Sequence, residues 1–211
     1  MGNNETELTR TLTKSGLAEI NFKMYLVRHG QTKLNAEGKI NGEIDEPLNE
    51  QGVSDALQVY KNLPVDFRGD TVFHSPLLRA KQTAFLIKAQ LSYMRLVEIK
   101  ELEERRFGKL AGLSWEEAVK LSGDSQLKTK DRNAEFDYSR FGGESSEQFK
   151  DRVWYAITRI RSTPIQGFPL IVTHGGVIRL LRSKFSHISL HEEDAVIQNG
   201  GLFEVSFPMF S

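Results

Sequence analysis

The sequence predicts an α/β fold, a three-layer sandwich with a mostly parallel central sheet and helices on both faces. Two observations predict it. Short apolar runs typical of buried parallel strands, at 25–27, 71–73 and 168–173, alternate with segments of helical periodicity. Polar motifs follow these strands directly, as expected where a parallel sheet presents the carboxyl ends of its strands to a ligand. Such alternation favours right-handed crossovers, which place helices on both faces of the sheet.

The first half of the chain supplies two strand–helix units. After the strand at 25–27, Asn49 is suited to cap a helix, and after the strand at 71–73, Pro76 is suited to the first turn of the next helix. We expect each helix to turn its apolar residues towards the core. These residues are Val53, Ala56, Leu57 and Tyr60 in the first helix, and Leu77, Leu78, Phe85, Leu86 and Ala89 in the second.

The second half begins irregularly and then returns to the same alternation. A third strand is predicted at about 95–99, and the charge-rich stretch at 122–143 is interpreted as a surface insertion or lid. Apolar residues then recur at spacings of four, four and three, which predicts one amphipathic helix over about 145–162. The buried strand at 168–173 precedes a further helix, and the segment 195–207 is expected to form two more strands.

Length and composition indicate one ordinary globular domain. A chain of 211 residues suits a single core, and we assign residues 24–211 to one domain and residues 1–23 to a disordered leader. The leader is polar and lacks the apolar core of a secretion signal, so a cytoplasmic location is expected. No apolar run approaches the roughly 20 residues of a membrane span, so no membrane partner is expected.

Charge and cysteine usage exclude several classes of function. The 28 basic residues balance 28 acidic ones, so no overall field draws the protein to nucleic acid, and any affinity for anions must be local. Cysteine is absent, which excludes disulfides and thiolate chemistry.

Two histidines end predicted strands, and each is followed by glycine. Arg28 precedes His29 and supplies a permanent charge with a planar donor fork suited to phosphate, while Gly30 lets the backbone turn closely around a bound group. His174 stands just before a helix whose free backbone N–H groups favour an anion. Arg79, one turn into the second helix, can lean over the same edge. The sequence therefore predicts one anion-binding site at this edge.

These residues suit phosphoryl transfer. A neutral imidazole is a competent nucleophile towards phosphorus, and covalent capture divides one difficult displacement into two easier ones. Positive charge and hydrogen bonds must surround the equatorial oxygens. A leaving alkoxide also needs a proton, for which the acidic cluster Glu101, Glu103 and Glu104 offers candidates. No metal site is expected, because both histidines are employed as nucleophile and phosphate ligand.

The motifs at these positions resemble the histidine phosphatase superfamily, in its phosphoglycerate-mutase-like branch. The signature is Arg28-His29-Gly30-Gln31-Thr32, with Asn35 six residues after His29. The further landmarks, in order, are Asn41-Gly42, Pro47 to Gly52, Ser75-Pro76-Leu77-Leu78-Arg79-Ala80, Leu102 to Gly108, Gly143-Glu144-Ser145 and Val172-Thr173-His174-Gly175-Gly176. The resemblance spans about residues 24–207.

The resemblance implies a phosphoglycerate mutase-like α/β sandwich whose catalytic domain works without a metal or cofactor. It implies that His29 is phosphorylated, that Arg28, Arg79 and His174 hold the phosphoryl group, and that Asn35 and the Gly175 amide assist. It also assigns the proton donor to Glu104, three residues before Phe107, with Glu103 as the fallback. The superfamily's acid phosphatases carry an aspartate where this chain has Gly175, so the chain resembles the first branch.

Gly42, His74 and Arg105 are candidates for substrate contact. His74 stands where relatives usually have a small residue, and it either touches substrate or fills space at the strand end. Arg105 and Arg106 follow the acid directly, as an arginine does in the mutases, where it helps to bind a carboxylate or a second phosphate. The alternative is that both arginine side chains are simply exposed to solvent.

A phosphomonoester hydrolase is favoured over a mutase, because the region between Gly112 and Gly143 is short and has no proline-rich segment. A non-catalytic phosphate-binding regulatory protein is the third reading, but no residue of the site is damaged. The start of the helix at Gly143-Glu144-Ser145 is similar to the α-ribazole phosphatases, so α-ribazole 5'-phosphate is one candidate substrate. Other small phosphomonoesters and a homo-oligomeric assembly stay open.

Overall fold

A computed structural model describes residues 9–12, 18–185 and 197–208. Within these ranges six strands form one sheet, with helices on both of its faces. The strands are β1 (Thr9–Leu12), β2 (Ala18–Arg28), β3 (Thr71–His74), β4 (Arg95–Glu98), β5 (Leu170–Thr173) and β6 (Leu202–Pro208). The helices are α1 (Lys33–Ala36), α2 (Glu50–Asn62), α3 (Leu78–Gln90), α4 (Trp115–Ser122), α5 (Leu127–Arg132), α6 (Ser146–Ser162) and α7 (Gly175–Phe185). None of these helices has the length and apolar character of a membrane span.

The four strands β2, β5, β3 and β4 lie side by side in that order and run parallel. The strands β1 and β6 both pair with β2 and are antiparallel to it. The register sets Arg28 beside Thr173 and His74 beside Val172. Because parallel strands end at the same edge of a sheet, the residues that follow β2, β3 and β5 come together there. The predicted mostly parallel sheet is confirmed.

Each face of the sheet carries its own hydrophobic core. Met24 and Leu26 point to one face, where they pack with residues of α6 and α7. Tyr25 and Val27 point to the other face, where they pack with residues of α2 and α3. Successive residues of a strand point to opposite faces, so the apolar run in β2 serves both cores. The predicted three-layer sandwich is confirmed.

The core faces predicted for α2 and α3 are wrong. In α2 the buried residues are Gly52, Ala56 and Val59, whereas Val53, Leu57 and Tyr60 are exposed. In α3 the buried residues are Arg79, Ala80, Thr83, Ala84 and Ile87, whereas Leu78, Phe85 and Ala89 are exposed. Of the residues predicted for these two faces, Ala56 and Leu77 are the buried ones.

Contacts with the polar loop after β2 explain both rotations. In α3, Arg79 reaches the histidine at the end of β2, and Thr83 Oγ1 accepts a hydrogen bond from the Gly30 N–H at 3.0 Å. In α2, a Cβ at Gly52 would lie 2.0 Å from the carbonyl oxygen of Gln31, so only glycine permits this approach. The demands of the loop, rather than apolar spacing, therefore decide which face each helix buries.

The stretch at 122–143 is not the loose surface lid that its charge suggests. It contains α5, and its residues Leu127, Phe136 and Tyr138 form a third core with Phe107. Most polar residues of this stretch are exposed or half-buried, whereas Leu127, Phe136 and Tyr138 are buried together with the carboxylate of Asp131. The stretch is therefore a packed unit at the side of the sandwich.

The sheet begins before the predicted domain boundary. β2 starts at Ala18 and pairs with β1, so part of the segment expected as a disordered leader lies in the sheet instead. The sequence from Ala18 to Lys23 alternates apolar and polar residues, a strand pattern that a search for continuous apolar runs misses. In the tail, where two strands are predicted, the described residues form one, β6.

We expect Val59→Ala to lower the free energy of unfolding by about 2 kcal/mol, because it deletes buried methyl groups and leaves a cavity under α2. Val53→Ala is the matched control on the same helix: the side chain is 40% exposed, and its loss should change stability by less than about 0.5 kcal/mol. Urea unfolding followed by circular dichroism measures both. A larger loss of stability for Val53→Ala than for Val59→Ala would instead support the buried face predicted from the sequence.

Candidate active site

The carboxyl ends of the parallel strands open into a cavity of about 270 Å³. Its lining includes the sequence-predicted residues Arg28, His29, Asn35, Gly42, Glu104 and Gly175. Arg79 and His174 are wholly buried and lie against His29. This volume is near the lower end of the range for ligand pockets and suits a small molecule.

His29 directs one ring nitrogen into the site. Its Nδ1 lies 2.7 Å from the carbonyl oxygen of Gly30, and because a carbonyl only accepts, Nδ1 must carry the proton. In the neutral ring Nε2 then holds the lone pair, and it accepts a hydrogen bond from Nε of Arg79 at 3.3 Å. Nε2 is therefore the nitrogen available for attack on phosphorus.

Burial keeps both histidines neutral. It lowers the pKa of His29 well below the ordinary value, and the charges of Arg79 and Arg28 lower it further. Burial and the charge of Arg79 also lower the pKa of His174, whose ring centroid lies 5.0 Å from that of His29. Nε2 of His174 lies 2.8 Å from Oγ of Ser75, which holds the ring at the edge of the sheet. Nε2 of His29 thus keeps its lone pair at pH values below the ordinary pKa of histidine.

Arg79 is a fixed cation beneath the cavity. Its side chain is wholly buried, and Nη1 and Nη2 donate hydrogen bonds to the carbonyl oxygens of Ile44 and Gly42 at 2.7 and 2.8 Å. These two bonds and the one to His29 hold the guanidinium beside the His29 ring.

Arg28 brings a second cation with an unused donor. Its Nη1 donates to the carbonyl oxygen of Ile197, while its buried Nε has no hydrogen-bond partner among the described residues. Burial lowers the pKa of Arg28 to about 10, and the neighbouring Arg179 adds to this lowering, so the group is still charged at neutral pH. An unpaired N–H on a buried cation is suited to a phosphoryl oxygen.

Glu104 brings a carboxylate to the same cavity. Its Oε1 accepts a hydrogen bond from the Arg105 N–H at 2.9 Å, and its Oε2 accepts one from the Gly176 N–H at 3.1 Å. A Cβ at Gly176 would lie 2.4 Å from Oε1, so glycine at this position makes room for the carboxylate. Glu103, the fallback acid, is not among the residues that line the cavity.

Asn35 belongs to a polar network beside His29. Its Nδ2 donates to Oδ1 of Asn41 at 2.7 Å, and its Oδ1 accepts from Nδ2 of Asn199 at 3.0 Å. Asn199 also donates to the carbonyl oxygen of His29 at 3.0 Å. Sequence reasoning missed Asn199, because it lies in a loop before β6 with no motif to mark it.

Comparison with known proteins identifies the family. A family model of the histidine phosphatase superfamily, branch 1, matches residues 24–208. The chain belongs to this superfamily. A metal-independent phosphoserine phosphatase of Arabidopsis thaliana is 33% identical over 79% of this chain and 70% of its own length. Phosphoglycerate mutase-like protein 4 of the same plant is 35% identical over 75% of this chain and 69% of its own.

A solved structure supports the fold assignment. The crystal structure of the α-ribazole phosphatase from Shigella flexneri matches with a TM-score of 0.68 at 26% identity, and the match covers 87% of this chain and 89% of that one. Family membership and these relatives make the chain a phosphatase enzyme with a phosphoglycerate mutase-like sandwich.

Two of the three residues expected to contact substrate lie elsewhere in this histidine phosphatase. His74 is 3% exposed, and its Nδ1 donates to the carbonyl oxygen of Ser75. Arg105 is 1% exposed and donates to Asp131 Oδ1 at 3.4 Å, because a buried carboxylate needs a cation beside it. Neither side chain lines the cavity, whereas Gly42 does. The burial of His74 fits the alternative in which it fills space at the strand end. The interpretation of Arg105 is corrected, because its side chain is neither solvated nor directed into the cavity.

The far wall of the histidine phosphatase cavity comes mostly from residues outside the sequence motifs, with Phe107 as the exception. Apolar residues Ile40, Phe107 and Trp115 lie there together with cationic Lys39, Lys128, Arg132 and Arg179. Nη2 of Arg179 lies 3.5 Å from Oδ2 of Asp131, which also lines the cavity. Burial raises the pKa of Asp131, and the charges of Arg179 and Arg105 counteract this. Apart from Phe107, sequence reasoning missed these residues, because the segments that carry them, which include α4, α5 and α7, meet at the site only through the fold.

The lowered pKa of His29 predicts a pH dependence of stability in this phosphatase. Unfolded histidine takes up a proton near pH 6.5, whereas folded His29 stays neutral below that pH, so the free energy of unfolding falls as the pH falls. The slope due to this one group is at most about 1.4 kcal/mol per pH unit.

Urea unfolding at pH 7.5 and 5.5 should therefore show a smaller pH dependence for His29→Asn than for the wild type. His74→Asn, which substitutes a histidine away from the cavity, is the control. An identical pH dependence in the wild type and His29→Asn would contradict a neutral, buried His29.

Gly176→Ala should disable the acid while it spares the nucleophile. The added methyl group displaces the Glu104 carboxylate, so hydrolysis of an alkyl phosphate should fall about 100-fold, because general acid catalysis contributes at least that much. Hydrolysis of an aryl phosphate, whose leaving group needs little protonation, should fall much less. Equal losses on the two substrates in steady-state assays would contradict this role of the glycine.

Proposed function

We propose that this enzyme hydrolyses small phosphomonoesters through a covalent phosphohistidine at His29, without a metal ion. The observation that carries the proposal is the orientation of His29: its Nδ1 proton is held by the Gly30 carbonyl, so that a neutral Nε2 stands beside Arg79. A nucleophile, phosphate-binding cations and a carboxylate then meet at one cavity.

In the first step, the Nε2 lone pair attacks phosphorus and the bond to the ester oxygen breaks. Arg28, Arg79 and His174 stabilise the charge on the equatorial oxygens, and the protonated carboxyl group of Glu104 gives its proton to the leaving alkoxide. The Nδ1–H of His29 keeps donating its hydrogen bond to the Gly30 carbonyl oxygen, which stabilises the positive charge that develops on the ring.

In the second step, water is the nucleophile. The Glu104 carboxylate takes a proton from the water as its oxygen attacks phosphorus, the N–P bond breaks, and inorganic phosphate leaves with the neutral ring restored. Glu104 is thereby protonated again for the next cycle.

The substrate is proposed to be a small phosphorylated metabolite. A cavity of about 270 Å³ suits a small metabolite. The α-ribazole phosphatase of Shigella flexneri supports α-ribazole 5'-phosphate, and the phosphoserine phosphatase of Arabidopsis thaliana supports phosphoserine, so these two are tested first. A cytoplasmic location, without nucleic acid or membrane as partner, completes the proposal.

Mutase-type transfer is the second candidate, because the phosphoglycerate mutase-like relative is 35% identical. The sequence argument for it weakens, since Arg105 is buried against Asp131 and does not reach the cavity. A non-catalytic phosphate-binding protein is expected to lack part of the catalytic set. Because His29, Glu104, Arg28 and Arg79 are all present, this third candidate is disfavoured.

The test is hydrolysis of p-nitrophenyl phosphate in the presence of EDTA. The wild type should be active and should form an acid-labile phosphoenzyme on rapid mixing with labelled substrate, whereas His29→Ala should lose both properties. His74→Gln is the matched control, a histidine substitution away from the cavity. Activity that survives in His29→Ala, or that EDTA abolishes, would overturn the proposal. Wild-type transfer from bisphosphoglycerate without hydrolysis would favour the mutase.

A further inference from the structure

Behind Glu104 lies an ion pair that takes no part in binding phosphate. Glu144 is wholly buried, and its two carboxylate oxygens accept hydrogen bonds from Nε and Nη2 of Arg152 at 2.9 and 2.6 Å. Arg152 is on α6, whereas Glu144 stands just before that helix. Neither residue lines the cavity.

The remaining donors of Arg152 all go to the backbone around the acid. Nη1 donates to the carbonyl oxygens of Glu101 and Glu103 at 2.9 and 2.7 Å, and Nη2 donates to the carbonyl oxygen of Glu104 at 3.0 Å. With the two bonds to Glu144, these contacts use all five N–H groups of the guanidinium. A single side chain thus holds three carbonyl groups of one short segment.

Glu144 holds the same segment from its other end. Its Oε1 accepts a hydrogen bond from the Arg106 N–H at 2.9 Å, and its own N–H donates to the Arg106 carbonyl oxygen at 3.0 Å. The backbone on both sides of Glu104 is therefore tied to one ion pair.

The carboxylate of Glu104 depends on this backbone for its direction. One of its two hydrogen bonds comes from the adjacent Arg105 N–H, which is part of the same segment. The other comes from the Gly176 N–H at the start of α7. If the segment rotates, the first bond moves with it and the second is lost.

A buried ion pair is weak evidence of a gain in stability, because desolvation offsets most of the attraction between the charges. Arg152 also cannot be replaced by lysine at this site without loss, because lysine is a point charge with three donors and no planar fork. The planar fork, and not only the charge, is what the three carbonyl groups require.

We infer that Arg152, together with Glu144, is a positioning residue for the proton donor Glu104. This inference rests on the proposed function, in which Glu104 protonates the leaving group. The pair holds the acid over the cavity, so its loss changes the dependence of the rate on the leaving group, which loss of an ordinary structural contact does not.

The test compares kcat/KM for an aryl and an alkyl phosphate in Arg152→Lys, which keeps the charge and loses the fork. The alkyl rate should fall about tenfold more than the aryl rate, since small misplacements of a catalytic group cost factors of this order or larger. Arg159→Lys is the matched control: Arg159 lies on the same helix, its side chain is exposed, and it donates to the carboxylate of Glu101 at 2.8 Å rather than to the backbone of the segment. Arg159→Lys should leave the alkyl-to-aryl ratio of kcat/KM unchanged.

A double mutant separates positioning from general damage. Glu104→Gln should lower the alkyl-to-aryl ratio, and adding Arg152→Lys should lower it no further, because the acid to be positioned is already absent. Glu144→Gln, which keeps the shape of the side chain, should repeat the effect of Arg152→Lys if the latter folds poorly. Thermal unfolding of each variant accompanies the assays.

Equal losses on the two substrates, or a further selective loss in the double mutant, would overturn the positioning role while the proposed function stands. A Glu104→Gln variant with an unchanged ratio would overturn the assignment of the acid and this inference with it. Failure to form the phosphoenzyme in the wild type would instead count against the proposed function itself.

Discussion

The hydrogen bond from His29 Nδ1 to the Gly30 carbonyl oxygen is the constraint on which the site depends. It assigns the proton to one ring nitrogen and leaves the lone pair of the other beside Arg79. The loop that carries this bond packs closely against α2 and α3: a Cβ at Gly30 would lie 2.1 Å from the carbonyl oxygen of Gly52, and the Gly30 N–H donates to Thr83 Oγ1. Burial and the two neighbouring cations all disfavour a protonated ring, so His29 stays neutral.

The same loop determines how the neighbouring helices pack. Because Thr83 bonds the loop and Arg79 reaches His29, α3 buries a polar stripe and leaves Phe85 in solvent. A purely apolar face would pack against the sheet as well, but it would leave His29 without the neighbouring cation of Arg79. Function thus opposes hydrophobic patterning at this helix, and the contacts of the site decide its rotation.

Sequence reasoning predicts those parts of the molecule whose cause is local. The apolar runs identify the parallel strands, and the sheet topology then brings His29 and His174 to one edge. The helix rotations were not predictable, because apolar periodicity carries no information on a polar contact across the fold. Arg105 illustrates the same limit: its motif position suggests a ligand contact, yet the buried partner Asp131 lies in a segment that no pattern connects to it.

The two ends of the cavity are built on different cores. The end that holds Arg28 and His29 stands on the central sheet, whereas Ile40, Phe107 and Trp115 of the far wall belong to the small core that includes α4 and α5. Substitutions in that side unit can reshape the space for the alcohol half of a substrate without touching the packing beneath the nucleophile. Divergence of specificity in this architecture is therefore separable from divergence of chemistry, and a graft of the side unit from one relative to another is a rational way to exchange substrates.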